Sequence, residues 1–244
     1  MATKVSHGDD AATGSRRTPF LVELYRSALG KKYLMAISGI VFMGYVLAHM
    51  LGNLKLYQGP EEFNKYAEFL REGLLTPILP ESGMLNLLRL VLLVSLVVHV
   101  VAAVQLTRMN KQARPESYRS KRDYVAADFA SRTMIWTGTI VLLFVAYHLA
   151  DLTWGWVNPA EAGATVYDKV VASFSVPAVA AFYLVANLAL GVHLYHGVWS
   201  LFQSLGINNR RFNHWRRALA VGFTVVVVGG NLSFPIAVQV GLIS

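Results

Sequence analysis

Four histidines, His49, His99, His148 and His193, lie in stretches of sequence that otherwise carry almost nothing polar. An imidazole in such surroundings can bind a metal, relay a proton or hydrogen-bond to a packed neighbour. A single one would suit the packing role as well as any other. Four of them, one in each of four consecutive apolar stretches, point to coordination chemistry, and the elements that carry them decide of what kind.

The chain has 244 residues, of which 55% are hydrophobic and 15% charged. A soluble domain carries about 25% charged residues. The apolar excess is gathered into five blocks, at about 33–52, 84–107, 133–156, 170–202 and 218–243. Each is long enough to cross ~30 Å of hydrocarbon at about 1.5 Å per residue. The expected architecture is therefore an all-α membrane protein, with one five-helix domain over residues 33–243. Residues 1–32 contain no apolar run of the kind a cleaved signal carries, and read as a polar cytoplasmic tail.

The formal charge of +8 is distributed as membrane topology requires, not as a nucleic-acid surface. Basic residues precede the first block (Arg16, Arg17, Arg26, Lys31, Lys32) and recur at Arg108–Arg132 and at Arg210, Arg211, Arg216 and Arg217. The alternate loops are acid-rich, with Glu61, Glu62, Glu68, Glu72 and Glu81 in one and Asp151, Glu161 and Asp168 in the other. This places the N-terminus in the cytoplasm and the C-terminus outside. With Asp151 read as part of a loop, no acid is expected inside a span.

Between the first two blocks, Phe63, Tyr66, Ala67 and Leu70 repeat at i, i+3, i+4, i+7 after Gly59-Pro60. That spacing predicts an amphipathic helix lying on the outer surface as a lid. Gly229-Gly230 and Pro235 predict a bend or a close backbone contact in the fifth block. The first and third blocks also echo each other, since Ser38-Gly39 precedes His49 as Thr137-Gly138 precedes His148.

Helix rise puts His49 about 24 Å and His148 about 22 Å from the cytoplasmic ends of their helices. His99 and His193 lie about 12 Å and 15 Å from theirs. Two imidazole pairs, stacked at two depths, are what two axially ligated haems require. Zinc suits them less, because structural zinc takes four ligands and each level offers two nitrogens. With no cysteine in the chain, haem attachment would be non-covalent and disulfides are excluded. Bis-histidine ligation leaves no open position for oxygen chemistry, so electron transfer remains.

Several segments resemble the succinate dehydrogenase/fumarate reductase cytochrome b family, in its single-polypeptide, two-haem form. They are Ala48-His49, the run EFNKYAEFLR at 62–71, His99, Thr137-Gly138 with His148, and HLYHGVWS at 193–200. The likeness covers about residues 25–240. It implies that His49 and His148 ligate a distal haem b, and His99 and His193 a proximal one. It further implies a flavoprotein subunit and an iron–sulfur subunit docked on the cytoplasmic face of a bacterial inner membrane. Electrons would pass from succinate through those subunits and both haems to a quinone such as menaquinone, so this chain would be the subunit that does not bind dicarboxylate. Some dihaem relatives carry a glutamate two residues before the fourth ligand, where this chain has Gly191, so their transmembrane proton pathway is not expected.

Quinone-site candidates fall at both levels: Tyr57, Glu72 and Arg89 toward the outside, Ser38, Arg132 and Trp199 toward the inside. Arg114, Arg119, Arg122, Arg210 and Arg211 are candidate docking surface, or topology determinants alone. His196, one turn after His193, is expected to hydrogen-bond without ligating. Two other readings are a cytochrome b anchor from a different respiratory dehydrogenase and a transporter with a histidine relay. The 62–71 and 193–200 segments disfavour the first, and the absence of midplane acids or broken helices disfavours the second.

Overall fold

A computed structural model describes residues 19–73, 78, 80–113, 127–207, 209, 211 and 213–244, with the backbone alone at 21 and 127–132. Arg16, Arg17, Pro77, Arg114, Arg119, Lys121, Arg122 and Arg210 lie outside the described residues, as does the side chain of Arg132. Every regular element among those described is helical. Five helices are long and apolar enough to cross a membrane, so the protein is an all-α membrane bundle.

A short helix α1 (Phe20–Arg26) leads into the first spanning helix, α2 (Ala28–Asn53). Ser27 caps α2 by accepting from Gly30 N, and the Lys31 ammonium donates to the α1 carbonyls of Tyr25 (2.8 Å) and Arg26 (3.1 Å). A side chain at position 30 would run into the Leu24 carbonyl, so only glycine permits this elbow.

After a tight turn at Leu54–Gln58, Gly59 (φ 94°) and Pro60 open α3 (Pro60–Glu68), the expected amphipathic helix. Its apolar face is pinned rather than merely resting on the bundle. Phe63 packs edge-on against Tyr167 (6.3 Å between centroids), and Asn64 Oδ1 accepts from Tyr167 N at 3.1 Å. Tyr167 belongs to α6 (Val166–Ser175), which starts at a Thr165–Asp168 capping box. The buried apolar cluster of the molecule lies at this end, joining Leu56, Phe63, Tyr167, Phe174, Tyr183 and Phe234.

The remaining spans are α4 (Gly83–Ala113), α5 (Ala127–His148), α7 (Pro177–Ser204) and α8 (Asn213–Gln239). α2 packs on α4, α5 on α7, and α7 on α8. Gly230 of α8 meets the flexible Met50 side chain of α2, so the close approach at this glycine is to a side chain and not to backbone.

Two expectations need correction. The fourth apolar block is not one helix, because Val176 is extended (φ −83°, ψ 110°) and Pro177 starts α7 afresh. A proline disfavours helical geometry at the residue before it and suits the first helical position itself. Asp151 is not a solvated loop residue either. Past His148 the chain makes a wide π turn over Leu149–Thr153, in which Trp154 N reaches Leu149 O (2.8 Å) and Trp156 N reaches Ala150 O (2.8 Å). That turn continues the third span and leaves Asp151 only 1% exposed, so an acid does lie inside a span. Trp154 and Trp156 stack beyond it with centroids 4.5 Å apart and rings exposed, as at a membrane interface.

Candidate functional site

The four membrane histidines come together as two pairs. The rings of His49 on α2 and His148 on α5 have centroids 5.9 Å apart and stand nearly perpendicular, at 89°. The rings of His99 on α4 and His193 on α7 are 6.3 Å apart at 58°. Metal–imidazole bonds of about 2.0 Å, with each nitrogen roughly 1 Å from its ring centre, separate two coaxial imidazoles on one metal by about 6 Å. Both pairs meet that separation. Among the described residues, no group of three or more His, Asp or Glu side chains converges on one point. The donor set at each level is thus two neutral nitrogens, as an axially ligated macrocycle would use.

The His99–His193 pair is held by two hydroxyls. Ser38 Oγ lies 2.9 Å from His99 Nδ1 and donates its own proton to Leu34 O at 2.7 Å. Thr137 Oγ1 lies 3.5 Å from His193 Nδ1 and donates to Thr133 O at 3.0 Å. With each hydroxyl proton on a backbone carbonyl, the oxygen can accept from Nδ1–H in the tautomer that carries it. The other ring nitrogen, Nε2, then carries a free lone pair for a metal. Ser38 and Thr137 occupy matching places in the internal echo. Gly138 belongs with them, since a Cβ there would meet His193 Cε1 at 3.3 Å.

The His49–His148 pair is framed by aromatic rings. Tyr45 stacks on His49 one turn away (5.4 Å, 18°), while Phe144 (5.7 Å) and Tyr183 (6.0 Å) flank His148. Among the described residues, His148 Nδ1 is buried without a hydrogen-bond partner. A buried polar nitrogen rarely goes unsatisfied, and this one marks an incomplete donor set. Tyr45, Phe144 and Tyr183 escaped the sequence reading, although the i, i+4 spacing of Tyr45/His49 and Phe144/His148 carries a signal for the first two.

The quinone candidates separate clearly. Ser38 is committed to His99, and Trp199 carries the Arg216 guanidinium over its ring at 4.5 Å while its carbonyl accepts from Arg216 at 3.2 Å. Arg89 donates to Asn86 Oδ1 at 3.1 Å and is close enough to act electrostatically on the Tyr45 hydroxyl, which links it to the His49 level. Tyr57 packs its ring on Phe234 (5.9 Å), and Glu72 sits exposed in a second π turn, Phe69–Gly73. Among the described residues, no hydrogen bond, ion pair or ring contact joins Tyr57, Glu72 and Arg89. His196 lies one turn beyond His193, half-buried.

Fold and site together define a class: a multi-pass helical membrane protein with two stacked imidazole pairs. The particular relationship comes from comparison. The chain is 27% identical over 176 residues to the succinate dehydrogenase cytochrome b558 subunit of Bacillus subtilis (strain 168), covering 71% of this chain and 78% of that protein. No family model and no solved structure matches it. The match bears out the resemblance to the succinate dehydrogenase cytochrome b subunits read from the sequence and, together with the five spanning helices, agrees with a multi-pass protein of a bacterial inner membrane.

Proposed function

We propose that this chain anchors a succinate:quinone oxidoreductase and holds two b haems, one between His49 and His148 and one between His99 and His193. The observation that carries the reading is the two facing imidazole couples, with ring centroids 5.9 and 6.3 Å apart. Haem bound at the two levels supplies one-electron transfer across the membrane, between an iron–sulfur subunit on one face and quinone.

The residues of this chain do the positioning. Ser38 and Thr137 orient the His99–His193 rings, and the aromatic frame of Tyr45, Phe144 and Tyr183 keeps water from the other pair. The basic loops put the N-terminal tail (1–32) and the His99–His193 level on the cytoplasmic side of the membrane domain (33–243). The flavoprotein and iron–sulfur subunits dock on that side. The His49–His148 level then faces outward, beneath the α3 lid, and quinone, menaquinone above all, binds beside it within reach of Tyr57, Glu72 or Arg89.

The test is a reduced-minus-oxidised optical spectrum of the purified complex, followed through a redox titration. The reading requires a low-spin b-type α-band that resolves into two components of different potential. A spectrum without that band would sink it.

A further inference from the structure

Asp151 is a buried carboxylate for which the proposed function has so far no use. The π turn at Leu149–Thr153 carries it to the inside of the bundle, where it is 1% exposed. Its Oδ1 accepts from Asn158 Nδ2 at 2.7 Å, and its Oδ2 accepts from Ser173 Oγ at 2.6 Å and Tyr183 Oη at 2.8 Å. Three donors converge on two oxygens, a setting that suits a carboxylate. The Tyr183 ring thus bound lies 6.0 Å from the His148 ring, and His148 is three residues before Asp151 on the same helix. An acid inside a membrane span is costly and usually has work to do. Three donors call for a group that only accepts, and the carboxylate that meets them also sets a negative charge one turn from His148.

We propose that Asp151 is a positioning residue for the outer haem, acting as a fixed negative charge beside His148 that lowers the reduction potential of that centre relative to the inner one. The inference rests on His49 and His148 being axial ligands. Reduction delivers one electron to the centre, from the iron–sulfur subunit in turnover or from a mediator in a titration, and lowers its net charge by one. A carboxylate nearby in a low-dielectric interior disfavours that gain. The inner pair is served differently: the structure gives His99 and His193 the neutral hydroxyls of Ser38 and Thr137. Asp151 therefore acts mainly on the outer centre, because the interaction between charges weakens with distance. Through its bond to Tyr183 it also fixes the ring that flanks His148.

Optical redox titration of the Asp151→Asn complex, with its flavoprotein and iron–sulfur subunits present, tests this. The component that His148→Ala abolishes should move to more positive potential, while the component that His99→Ala abolishes stays in place. An unmoved outer component, or equal shifts of both, would overturn the proposal. Because the variant could lose haem, the unmodified complex carrying ¹³C-labelled aspartate gives a second reading. Its reduced-minus-oxidised infrared spectrum should hold an isotope-sensitive carboxylate band that grows in with the outer component, and no such band at that potential would also overturn the assignment. A wild-type complex lacking the outer component altogether would instead remove the haem reading on which this inference stands.

Discussion

Ser38 Oγ sits 2.9 Å from His99 Nδ1 and at the same time donates to Leu34 O, so it meets the Nδ1–H tautomer of the imidazole as an acceptor. The hydroxyl thereby selects which ring nitrogen keeps its proton and which can bind a metal. Partners of this kind typically carry about 10–100-fold in metal affinity. Ser38→Ala should accordingly weaken haem retention at the inner level by about that factor, or broaden its α-band, and leave the outer component intact. Thr137→Ala, whose oxygen is farther from His193 at 3.5 Å, should have the smaller effect. Haem content and band shape of the two purified variants check both statements, and equal loss of both components would count against the assignment.

Single replacements of the four histidines should fall into two classes. His49→Ala and His148→Ala should remove one spectral component, and His99→Ala and His193→Ala the other, because the rings face each other in those pairs. His196→Ala should retain both. Low-temperature difference spectra of membranes from each variant decide this. Joint loss for His49 and His99 would break the pairing.

Glu72 lies exposed in the π turn after α3, at the rim of the lid. Glu72→Gln should slow quinone reduction several-fold while succinate oxidation with an artificial dye stays unchanged, since dye takes electrons before the membrane subunit. Arg89→Gln, which loses the cation near Tyr45, should act in the same direction. Paired assays on one preparation separate the steps. Equal loss in both assays would point to disturbed assembly instead of a quinone role.

Much of this architecture can be read directly from the chain. Nearly charge-free runs long enough for a bilayer mark the five spans, and helix-rise arithmetic puts the histidines at two depths before any contact is known. The amphipathic repeat over Phe63–Leu70 likewise marks α3, because burying one face is a local, periodic demand. What escaped is the part set by neighbours distant in sequence. Nothing local to Ser38 reveals a histidine 61 residues away, so the same hydroxyl reads equally well as a quinone contact. Asp151 looks like a loop acid because its partners Ser173 and Tyr183 lie 22 and 32 residues on. The break before α7 is different, for Pro177 was legible and its effect was outweighed by an unbroken apolar run on both sides.

The central claim is that the two histidine pairs each hold a haem, and counting haem tests it most directly. A pyridine haemochrome assay on the purified complex, set against polypeptide concentration from amino-acid analysis, should give two non-covalent b haems for each copy of this chain. One haem per chain would leave one histidine pair as packing, and none would contradict the account outright.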